Sequence, residues 1–159
     1  MLQVPSQRRL DEIEHALCHA AEIHGAQVVA ATRLAPDLWS YTLHHAPLQT
    51  ALVGADPRAA AFLPCRITAR RESGHLLLEA VQPHHFGTLL KRQDLEPLLA
   101  PLEVLLRDVM EAAARRSPRS VGATEWQMNV RGAIPHRIDC HGTQIEELAG
   151  TGHLDAPGG

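Results

Sequence analysis

The chain has 159 residues, 45% of them hydrophobic and 21% charged, as expected of one globular domain with an appendage. A formal net charge of −3 lacks the basic excess of a nucleic-acid binder, and no apolar run reaches the length of a membrane span. Three widely spaced cysteines, Cys18, Cys65 and Cys140, make no disulfide framework; with no signal-peptide core in "MLQVPSQRRL", they set the expectation of a reducing, cytoplasmic location.

Aromatic residues are only 3%, so Leu, Val, Ile and Ala must build the core. Residues 7–24 predict an amphipathic helix with Leu10, Ile13, Leu17, Ala20, Ala21 and His24 on one side, capped by Ser6 and ended by Gly25. "AQVVAATRL" (26–34) and "LWSYTLHH" (38–45) read as a hairpin turned by "APD", the second strand alternating Trp39, Tyr41, Leu43 and His45 on one face. Residues 46–61 read as a short helix, a turn and a connection. "FLPCRITARR" then puts Cys65, Ile67 and Ala69 on one face of a strand that Pro64 opens. "ESG" turns the chain and "HLLLEAV" returns antiparallel, ended by "QPHHFG".

A long helix is expected within 94–116 from the stripe Leu95, Leu98, Leu99, Leu102, Leu106, Val109, Met110 and Ala113, either kinked at Pro101 or starting near Ala100. Beyond 117 the character changes. "EWQMNV" has the alternation of an edge strand, and the last ten residues have the composition of disorder. The expected division is an α+β domain over 1–116 and a C-terminal extension over 117–159.

Pro47, Asp56-Pro57, Leu63-Pro64-Cys65 and Pro83 stand in a frame that resembles bacterial domain-of-unknown-function family 302, over residues 7 to 116. The resemblance implies a two-layer α+β sandwich like that of the TATA-binding protein, with order β-α-β4-α, and a homodimer. It implies no activity. Two departures concern function: His45 stands near where many members carry a cysteine, and the tail from 117 has no counterpart.

Chain direction supplies a candidate site. Strand 38–45 ends where strand 63–71 begins, and strand 75–81 finishes beside that start. His45, Cys65, His84 and His85 are therefore expected at one rim of the sheet. Thiolate and imidazole together suit zinc, copper or iron, haem iron included. The same cysteine beside histidines is a candidate sulfur carrier or redox thiol. A buried cysteine is also an ordinary small apolar filler. "PHRIDCH" adds a second candidate cluster, His136, Cys140 and His141, with Asp139 between them; its spacing matches no standard zinc motif. Arg66, Arg70 and Arg71 read as a solvated stripe. Glycine-rich phosphate loops, a GxSxG elbow and paired catalytic carboxylates are all absent. The expected function is thus a non-enzymatic homodimeric domain binding a metal or small ligand. The alternatives are a Cys65 thiol protein and a purely structural partner.

Overall fold

A computed structural model describes residues 1–115 and the backbone of 136–137. The elements run β1 (Leu2–Ser6), α1 (Leu10–Ile23), β2 (Gln27–Ala35), β3 (Leu38–His44), α2 (Ala46–Ala55), a 3-10 turn (Pro57–Phe62), β4 (Cys65–Glu72), β5 (His75–Ala80), α3 (His84–Leu90), a second 3-10 turn (Gln93–Leu95), α4 (Glu96–Ala114) and β6 (His136–Arg137). The expected β-α-β4-α order is present, with short helices in two of its connections. The strands form one antiparallel sheet in the order β1-β5-β4-β3-β2-β6.

Period-2 alternation decides what the sheet buries. Tyr41, Leu43, Cys65, Ile67, Ala69, Leu76, Leu78 and Ala80 face the core, where α1 and α4 pack side by side. The opposite face carries a polar row in register across five strands: Thr32, Ser40, Thr68, Glu79 and Gln3. Arg70 and Gln3 both bind the Glu79 carboxylate there, at 3.2 and 2.8 Å. The arginine stripe is thus split by the pleat: Arg66 and Arg70 share the polar face, and Arg71 pairs with Asp37 at 3.6 Å. The β4–β5 turn places Ser73 and Gly74 at φ of 50° and 85°, the two-residue turn that matches strand twist.

The helix signals need two corrections. Ser6 does not cap α1. It ends β1, where its hydroxyl accepts from the Arg8 N–H at 3.1 Å and donates to the Ala114 carbonyl at 3.2 Å, tying β1 to the end of α4. The start of α1 is held instead by Glu12, whose carboxylate accepts from the Arg9 N–H at 3.3 Å. The other end behaves as expected, with Gly25 at φ +70°. α4 runs unbroken through Pro101 from Glu96. Pro97 sits in its first turn, where no donor is missed. Pro101 lies on the exposed side, so its ring meets solvent and not the core. The tail strand expected at 125–130 lies outside the described residues. Of the tail, only the backbone of β6 is described, with Arg137 opposite Ala30 and His136 opposite Ala31.

Candidate functional site

β3 and β5 run in the same direction and end where β4 starts, so His45, Cys65, His84 and His85 do lie at one end of the sheet. They part there, because β4 stands between the two strands that deliver the histidines and each chain then enters its own short helix.

Cys65 is opposite Leu43 on the core side and only 4% exposed. Burial pushes its thiol up to about 12. At pH 8 that leaves a thiolate fraction of about one in ten thousand, which does not suit a nucleophile or sulfur carrier. In the folded protein Cys65 is therefore expected to alkylate orders of magnitude more slowly than a free thiol, and at the ordinary rate in denaturant. Intact-mass time courses with peptide mapping read both rates; rapid native labelling at Cys65 would restore the thiol chemistry.

His45 has a structural task. It caps α2, its Nδ1 accepting from the Leu48 N–H at 3.3 Å, and its Nε2 lies 3.9 Å from where a Cβ on Gly25 would stand. The ring thus turns toward the α1–β2 corner, away from β5. Gln49 supports the same corner by donating to the Leu43 carbonyl at 3.2 Å. A side-chain acceptor one residue ahead of "AP" was the sequence signal for this cap.

His84 and His85 stay together. They open α3, with ring centroids 4.1 Å apart and planes at 54°. His84 Nδ1 lies 2.8 Å from Oε2 of Glu103 on α4, and the same oxygen is 3.5 Å from the His84 backbone N–H. Arg107 reaches the other carboxylate oxygen at 3.4 Å. Burial alone would raise the Glu103 carboxyl. The hydrogen bonds from the His84 ring and backbone, with the Arg107 guanidinium nearby, outweigh it and hold the group below its ordinary value. Beside the pair lies a cleft of about 270 Å³ lined by His84, Glu96, Ala100, Glu103, Val104 and Arg107.

The expected four-residue centre is therefore not assembled. Among the described residues no three His, Cys, Asp or Glu side chains gather as a metal ion would require. Of the second cluster, Cys140 and His141 lie outside the described residues, and His136 is placed by its backbone alone.

A further charged junction closes the same end of the fold. The Asp56 carboxylate, 5% exposed, accepts from the Arg58 backbone N–H at 3.0 Å and from its guanidinium at 3.0 and 2.7 Å. Arg92 approaches it from beyond α3 at 3.4 Å. The Arg58 hydrogen bond is the main cause that lowers Asp56 to about 2. Asp before Pro, opening a helical turn, was its signal.

A family model described as "Domain of unknown function DUF302" matches residues 21–113. No curated protein matches the chain. Among solved structures that do, the crystal structure of an uncharacterized conserved DUF302 protein from Bacillus stearothermophilus is similar with a TM-score of 0.67. It is 14% identical and covers 72% of this chain and 97% of that one. At that identity the likeness is one of fold.

Proposed function

We propose a function from the geometry of this chain, which belongs to the DUF302 family of unknown function: a non-catalytic homodimeric binding domain that takes a transition-metal ion at His84 and His85. The observation that carries the reading is the 2.8 Å contact between Glu103 and Nδ1 of His84. A carboxylate on one ring nitrogen fixes the tautomer, raises basicity and leaves Nε2 to coordinate, the arrangement that metal-bound histidines share. His84 is partly exposed and His85 exposed, so an ion can reach both. Imidazole donors suit zinc, copper and iron. Cys65, which is in no disulfide, agrees with a cytoplasmic setting.

Untagged, metal-free protein titrated with zinc is expected to show one saturable class of sites by calorimetry. Glu103→Gln should weaken it by about 10- to 100-fold, the usual effect of removing such a supporting group. His84→Ala should abolish it. Equal zinc affinity in a His84→Ala/His85→Ala protein would reject the site.

A further inference from the structure

His84 and His85 supply at most two donors, no third described side chain joins them, and a zinc ion wants about four. From this we infer that the ion is shared: the same pair from a second copy of this chain completes the coordination, so the metal joins two protomers across a two-fold axis. The inference rests on the metal reading given above and adds to it where the missing ligands come from.

Three features of this surface fit a second copy as the occupant. The first is the freedom of His85, which is exposed and whose side chain makes no hydrogen bond among the described residues, so its ring can turn toward an ion that His84 holds. The second is apolar surface beside the pair. Leu89, four positions after His85 on α3, is 66% exposed, and Val104, in the cleft with His84, is 56% exposed. A water-filled coordination sphere would leave both in solvent, whereas a two-fold contact covers them. The third is charge. The cleft carries Glu96 and Glu103 beside Arg107, both signs on one surface, as a face that must complement itself requires.

Zinc titrations followed by calorimetry and sedimentation equilibrium separate the outcomes. Bridging predicts saturation at one zinc per two chains. It also predicts a pair of chains whose dissociation constant falls at least about tenfold with zinc and recovers with chelator. His85→Ala, at an exposed position where folding is not at stake, should lose the zinc-dependent association. Leu89→Arg should weaken association while His84 and His85 remain. Saturation at one zinc per chain with unchanged association overturns the bridge and leaves the metal site standing. Absence of zinc binding overturns both.

Discussion

Leu106→Ala is expected to destabilise the protein by about 3 kcal/mol, a fall in Tm of about 10 °C. Leu106 is fully buried near the middle of α4, where the helix packs on α1 and the sheet. Truncation loses the transfer free energy of the removed atoms and leaves a cavity that a helix anchored at both ends closes only in part. Those anchors are Gln93–Leu95 at one end and the Ser6 and Arg8 contacts to Ala113 and Ala114 at the other. Val104→Ala, two positions away and mostly exposed, is expected to change stability by less than about 0.5 kcal/mol. Denaturant melts of both variants check the contrast; equal effects would mean that α4 is not packed by the face described.

Asp56→Ala should lower Tm by about 5 °C, the scale of losing a helix cap, and should also flatten the acid limb of stability. Asp56 is held at about 2 by Arg58 and then Arg92, below an unfolded value of about 3.9. A depressed folded value means that the native state favours the ionised form. The contribution is therefore complete above about pH 4 and is lost as pH falls from there through about 2. Asp56→Asn keeps the shape and one acceptor oxygen but not the charge. It should retain part of the neutral-pH stability and lose its share of the decline below pH 4. Glu79, Glu103 and Asp94 are lowered in the same sense, so some acid sensitivity remains. Chemical melts of wild type and both variants between pH 2 and 7 decide it; an Asn variant with an unchanged acid limb would show that the Asp56 junction is not what titrates.

Much of this fold is legible because its signals are periodic. Strands with one buried face alternate, α4 shows its stripe, and a glycine at positive φ ends α1. What failed to show was short or reciprocal. α3 is a single short helix inside "HHFGTLL", too brief for periodicity to separate from a strand-ending loop. Without α3, Glu103 on α4 has no visible partner, so the contact that sets the orientation of His84 stays hidden. Ser6 has the chemistry of a cap but sits in β1, where its partners Arg8 and Ala114 claim the hydroxyl.

The site argument divides in the same way. Strand direction correctly brings Cys65 and the histidines to one end of the sheet. Direction says nothing of lateral position, and His45 turns toward β2 while His84 turns toward α4. The alternation that puts His45 on the face of Tyr41 and Leu43 has meaning only while the chain is a strand. At His45 it has already left the sheet to cap α2.

The placing of β1 at the outer edge beside β5 has a consequence for a chain made in order. Gln3 and Glu79 bond across 76 positions, and among the described residues every backbone rung of β1 is with β5. On the ribosome, β1 emerges well before its partner β5 in the hairpin closed by Ser73 and Gly74, and its tie to Ala114 waits longer still. β1 is thus among the last of the described strands to find its place.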